Sequence, residues 1–170
     1  MAVSRTTFAF IVFAAALAVG GCGDDKPAPS EPTPQAGGPP AAGTPIDACA
    51  LVSADDVTKL LGKPVEGRSI GGPDTPACTW EDRDTYESVT VEIGNPGTAV
   101  NGTLPPPPPG LPDVGSPGPD GMRFLATGMV EFPASGRSNT VQVAVLELLG
   151  PDADNAAVDL ARKIGPQLPQ

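Results

Sequence analysis

Ser88-Val89-Thr90-Val91-Glu92-Ile93 alternates polar and aliphatic side chains without interruption. Successive side chains of an extended backbone point to opposite faces, so this stretch predicts a β-strand with Val89, Val91 and Ile93 against a core and Thr90 and Glu92 turned away from it. Thr79 to Glu81 supplies a neighbouring strand across the turn Asp82 to Thr85, which puts Trp80 on the core side. Further along, Met122 to Phe132 and Thr140 to Leu149 read as two longer strands joined by a loose loop, Pro133-Ala-Ser-Gly-Arg-Ser-Asn139. Val141-Gln-Val-Ala-Val-Leu-Glu-Leu148 is nearly apolar on both faces, which predicts a central strand covered on each side.

Helices bracket these strands. Asp47-Ala-Cys49-Ala-Leu51-Val-Ser53-Ala-Asp55-Asp56-Val57-Thr-Lys-Leu60-Leu61-Gly62 predicts a short opening helix. Ser53 is its N-cap, Asp55 and Asp56 sit in the positive first turn, and Gly62 closes it. Val52 and Val57 have the spacing of a hydrophobic staple. A second helix is predicted over 152–164, with Asp152 and Asp154 at its start, Ala157, Leu160, Ala161 and Ile164 on one face, and Arg162 and Lys163 before Gly165-Pro166. The fold class is therefore α+β: an antiparallel sheet of about five strands with a short N-terminal helix and a C-terminal helix packed on it. One globular domain over 46–170 accommodates all of it, with a proline-rich loop at 104–119. The five prolines Pro105 to Pro109 preorganise a polyproline helix, which serves either as a partner-binding arm or flap, or as a solvated connection.

Ahead of this domain the composition changes. Arg5 precedes an unbroken apolar run, Phe8 to Val19, of about a dozen residues; a bilayer crossing needs roughly twenty, so residues 1–21 read as a signal peptide rather than an anchor. Val19-Gly20-Gly21-Cys22 resembles the bacterial lipobox, which implies cleavage before Cys22 and a diacylglyceryl thioether on its sulfur. Residues 22–45 are Pro, Ala and Gly with a few charges, a composition that forms a tether and no core. The expected location is the extracytoplasmic face of the cell membrane, lipid-anchored through Cys22. Removing the signal leaves nine basic against twenty acidic residues, and a surface of that sign repels nucleic acid and anionic headgroups.

With Cys22 assigned to lipid, Cys49 and Cys78 remain, and in an oxidising compartment they are expected to form a disulfide tying the opening helix to the Trp80 strand. The alternative for the two is a redox or metal-binding pair. The chain has no histidine, so Ser-His-Asp and Cys-His systems are excluded along with His-ligated zinc. No catalytic residue, metal or cofactor is assigned. Glu81, Asp82, Asp84 and Glu87 cluster at one hairpin, where they read as a solvated turn rather than the paired acids of a hydrolase.

Asp47-x-Cys49-x-Leu51, a short helix ending Leu60-Leu61-Gly62, Cys78-Thr79-Trp80 and the late Ala157-Val158-Asp159-Leu160-Ala161 together resemble a family of actinobacterial cell-envelope lipoproteins whose domain is of unknown function. The resemblance covers 46–170 and implies an exported, disulfide-containing, lipid-anchored domain. The proline-rich insert departs from it. A non-catalytic binding or accessory module for an envelope protein, lipid or wall ligand is the expected role, with a carboxylate-dependent envelope hydrolase as the alternative.

Overall fold

The computed structural model describes residues 45–107, 109–110 and 115–170. The signal peptide 1–21, Cys22 and all but Pro45 of the tether lie outside the described residues. Among the described residues two α-helices, α1 (Ala54–Leu61) and α2 (Pro151–Ile164), accompany seven strands: β1 (Arg68–Ser69), β2 (Ala77–Glu81), β3 (Ser88–Glu92), β4 (Ser116–Pro117), β5 (Arg123–Ala126), β6 (Met129–Ala134) and β7 (Arg137–Ala144). The strands form one antiparallel sheet in the order β1-β2-β3-β7-β6-β5-β4.

The α+β class stands, but the sheet has seven strands where about five were expected. Two of them, β1 and β4, are two-residue edges too short to carry an alternation, and β4 lies inside the proline-rich insert that was read as loop. The run Met122 to Phe132 is not one strand. It is the β5–β6 hairpin, folded at Thr127-Gly128, with Arg123 opposite Glu131 and Phe124 opposite Val130. The loop expected over 133–139 is mostly strand, because β6 and β7 pair as far as Ala134 opposite Arg137 and leave only Ser135 and Gly136 to turn.

β7 is central, as its apolar content predicted, but it ends at Ala144 and is covered on one face only. Asn139, Val141 and Val143 are buried, whereas Thr140 and Gln142 on the other face are half-buried. The buried side chains of the sheet, among them Trp80, Val91, Val130 and Phe132, form one core with Val57 and Leu61 of α1 and with Ala157, Leu160 and Ile164 of α2. Both helices thus lie on the same face. The opposite face carries polar rows, including Thr79 beside Thr90 with hydroxyl oxygens 3.0 Å apart.

The opening segment divides in two. Asp47 caps a 3-10 turn over Ala48–Leu51, its carboxylate accepting from the Cys49 N–H at 2.9 Å. Ser53 then caps α1 by accepting from Asp56 N–H at 3.1 Å, and Gly62, with φ 71°, closes it. Between these pieces Val52 is buried with Val57, the staple that the spacing predicted. Cys49 and Cys78 are joined by a disulfide, Cα–Cα 5.1 Å, which fixes the 3-10 turn to β2.

One buried polar side chain welds the far end of the sheet. Asn139, fully buried, donates from Nδ2 to the carbonyls of Phe132, Ala134 and Arg137 and accepts from Gly94 N–H at 3.3 Å. A buried amide satisfied on both of its polar atoms avoids the penalty of an unpaired group and holds β3, β6 and β7 in one register.

Candidate functional site

The site is built on the β2–β3 turn, Asp82 to Glu87, where four acids were expected to be solvated. Three of them are not simply that. Asp82 is the one buried acid among the described residues, 5 % exposed. Its Oδ1 accepts from Asp84 N–H at 2.9 Å, and its Oδ2 lies 3.1 Å from the Thr85 hydroxyl. Such side-chain bonds to the following backbone are the reason aspartate opens turns. The turn is closed by backbone bonds from Asp82 N–H to Glu87 O at 2.9 Å and from Tyr86 N–H to Asp82 O at 2.7 Å.

Lys63, just past the end of α1, reaches this turn, its ammonium 2.8 Å from Asp82 and 3.3 Å from Asp84. The ammonium's hydrogen bond, with the Asp84 amide behind it, holds the Asp82 carboxyl below its ordinary range, and Asp82 in turn raises Lys63. A carboxyl held ionised in this way is suited to anchoring a turn and poorly suited to donating a proton. Glu87 ties the turn to the segment after β7, its carboxylate accepting from Leu146 N–H at 2.8 Å.

This constraint presents apolar side chains to solvent. Tyr86 is 78 % exposed and has φ 62°, a left-handed conformation uncommon for a bulky residue. Leu146 and Leu149, each 73 % exposed, follow β7 at the same end of the sheet, because Ser88 of β3 pairs with Ala144 of β7. The expectation that strand continued through Leu149 is corrected here: past Ala144 the chain leaves the sheet, so Leu146 and Leu149 are surface rather than core.

A second polar cluster sits on the open face. Arg123 pairs with Glu131, Nε to Oε2 at 2.9 Å, Ser138 donates to the same carboxylate, and Arg123 Nη1 donates to Pro105 O at 3.2 Å. Glu131 is 13 % exposed. Both enclosed acids are therefore committed to a cation, Asp82 to Lys63 and Glu131 to Arg123. Beside this cluster an open depression of about 240 Å³ is bounded by Leu104, Ser116, Met122 and Arg123, and one of about 300 Å³ by Ser116, Phe124, Thr127 and Asp154.

Asp152 and Asp154 lie in the first turn of α2 as expected, but the N-cap is Gly150, and Asp154 accepts instead from Gly128 N–H at 2.7 Å. Among the described residues no group of three or more acids and cysteines is placed to hold a metal, and no helix is long and apolar enough to cross a membrane. Of the residues singled out in the sequence, Cys49 and Cys78 are brought together and Cys22 lies outside the described residues. Lys63, Tyr86 and Asn139 were not singled out. Asp82-Arg-Asp-Thr signals the turn, but nothing local connects Lys63 to it.

A lysine–aspartate pair titrates at both ends of the pH scale. The depressed Asp82 contributes stability above the ordinary aspartate range that is lost as pH falls through its folded value. The raised Lys63 contributes below the ordinary lysine range, and that part is lost as pH rises through its folded value. Lys63 is 45 % exposed, so screening keeps the contribution small. Asp82→Asn keeps an oxygen for the Asp84 amide and removes the charge together with the acceptor of the Thr85 hydroxyl. The Tm gap between the parent and this variant is expected to be widest between the ordinary aspartate and lysine ranges and to shrink as pH falls below the former; a gap independent of pH in thermal melts would refute the pairing.

The fold and site define a disulfide-clamped α+β domain with an acid-stabilised turn that displays an aromatic side chain. Residues 17–118 match the family described as "Protein of unknown function (DUF3558)", a stretch well over half of the chain, and the protein belongs to that family. The match takes in Val19-Gly20-Gly21-Cys22, both cysteines of the disulfide and β1 to β4, and stops before β5. No curated protein and no solved structure matches the chain.

Proposed function

We propose that this protein is an extracytoplasmic lipoprotein of the actinobacterial envelope type, anchored through lipid on Cys22, whose domain is a non-catalytic binding module. The observation that carries the reading is the Cys49–Cys78 disulfide in a chain that also carries the lipobox-like Val19-Gly20-Gly21-Cys22. Structural disulfides persist in oxidising compartments and are rare where thiols are kept reduced, so the crosslink and the N-terminal segment point the same way. Binding rather than turnover is supported by the chemistry of the turn. Its carboxylates are neutralised or hold backbone amides, while its tyrosine and the nearby leucines face solvent. Exposed apolar side chains grouped on one surface mark interaction sites more often than catalytic ones.

Feeding cells an alkynyl palmitate and coupling a fluorophore to the purified protein tests the anchor. Label is expected on the parent chain and absent from Cys22→Ala, which should also leave the membrane fraction. A Cys22→Ala protein that still carries label would overturn the assignment.

A further inference from the structure

We propose that the end of the sheet formed by the β2–β3 turn and the segment between β7 and α2 docks a protein partner through a segment that carries aliphatic side chains beside lysine or arginine. The inference rests on the binding-module reading above and names its partner's chemistry. Two kinds of side chain are displayed there together. Tyr86, Leu146 and Leu149 supply exposed apolar surface. The same two segments and their ends carry the carboxylates of Glu81, Asp84, Glu87, Glu147 and Asp152, against Arg83 and a Lys63 already held by Asp82 and Asp84. A surface that is apolar at its tips and acidic at its rim is complementary to an aliphatic segment flanked by cations. The same rim opposes an anionic phospholipid surface, because carboxylates are repelled by headgroups of their own sign.

The backbone at Tyr86 adds an independent argument. A tyrosine at φ 62° sits in a conformation that glycine adopts at no steric cost, and with most of its ring in solvent it gains little from its own domain in return. Backbone strain held in place by surrounding structure clusters at ligand-binding positions. Here the surrounding structure is the Asp82 carboxylate and two backbone bonds across the turn. The result is an aromatic anchor on a fixed backbone, the side-chain type that dominates interface energetics.

The test is photo-crosslinking in the native envelope, using the full chain with a benzophenone amino acid at position 86, at 149, or at 100 as reference. Val100 is 65 % exposed and lies at the opposite end of the sheet, where the flanking Ala99 N–H bonds the carbonyl of Gly136 in the β6–β7 turn. Positions 86 and 149 are expected to capture the same protein through a peptide with aliphatic residues next to Lys or Arg, and position 100 is not. With the crosslinker at 149, Tyr86→Gly should weaken capture by about tenfold or more while Tm stays level or rises, since glycine relieves the strained φ. Lipid-only adducts, equal capture at 100, capture unaffected by Tyr86→Gly, or no adduct at all would each overturn the proposal. Alkynyl palmitate labelling of the same cells separates the two readings. Label without capture defeats this inference alone, and capture without label defeats the anchor alone.

Discussion

Replacing Cys49 and Cys78 together with alanine is expected to lower the domain's stability by about 3 to 4 kcal/mol. The crosslink closes a span of 29 residues, and the chain entropy that the unfolded state regains when that loop is no longer closed sets this figure. For a domain of about 125 residues the corresponding fall in Tm is roughly 10 to 15 °C. The loss should not be uniform. Without the disulfide, the 3-10 turn and α1 are held to the rest of the domain by Leu51, Val52, Val57 and Leu61, by the Lys63–Asp82 pair just past α1, by the bond from Gln167 Nε2 to Leu51 O at 3.1 Å and by an ion pair between Asp56 and Lys163. That pair depresses the Asp56 carboxyl, but its ammonium is half in solvent, so it adds little. By contrast β7 and β6 are locked by Asn139 and covered by α2, neither of which involves a cysteine.

Hydrogen exchange should therefore show 46–62 opening first in the variant, with the amides of β7 exchanging only on global unfolding. Trp80, the sole tryptophan, sits two residues beyond Cys78 on the core side of β2, so its emission should stay blue-shifted below the lowered Tm. A Tm within about 3 °C of the parent, or uniform loss of exchange protection, would refute this division of the fold.

That division also separates what the sequence disclosed from what it did not. β3 was legible because its two faces differ, Val89 and Val91 buried and Thr90 and Glu92 not, and α1 was legible because Ser53, Asp55, Asp56 and Gly62 each act within a single turn. Such signals are local. The β5–β6 hairpin was not legible: its turn needs only Gly128 at positive φ, and a lone glycine in an apolar run is equally compatible with a continuous strand. β1 and β4 exist only because longer neighbours pair with them. At the candidate site Asp82 announces a turn, but its burial depends on Lys63 arriving from α1, nineteen residues earlier. Leu146 and Leu149 have the composition of a strand and become surface only because Glu87 captures the Leu146 amide and the chain turns toward α2. Asn139 reads as a loop residue until four backbone groups converge on it.

Gly128 and Gly136 form a matched pair that isolates close backbone approach from backbone conformation. Both turn a hairpin at nearly the same left-handed angle, φ 70° and 68°. A Cβ at Gly136 would meet nothing within 4 Å, so Gly136→Ala is expected to cost only the local left-handed strain, about 1 to 2 kcal/mol. A Cβ at Gly128 would fall 2.3 Å from the carbonyl oxygen of Val143 and 3.2 Å from the Ala153 side chain. Neither neighbour can yield cheaply. Val143 belongs to the central strand and is 2 % exposed, its N–H donates to Gly128 O at 2.7 Å, and Ala153 is buried in the first turn of α2. Relief would require the β5–β6 turn to lift away, breaking that bond and the one from Gly128 N–H to Asp154 Oδ1 at 2.7 Å, the contact that seats α2 on the hairpin. Strain and two lost bonds together put Gly128→Ala at about 3 to 5 kcal/mol. Urea titrations of the two variants should differ by at least about 1 kcal/mol at unchanged slope. If they cost the same, the glycine is there only for its φ, and the docking of α2 on the β5–β6 turn contributes nothing to the fold.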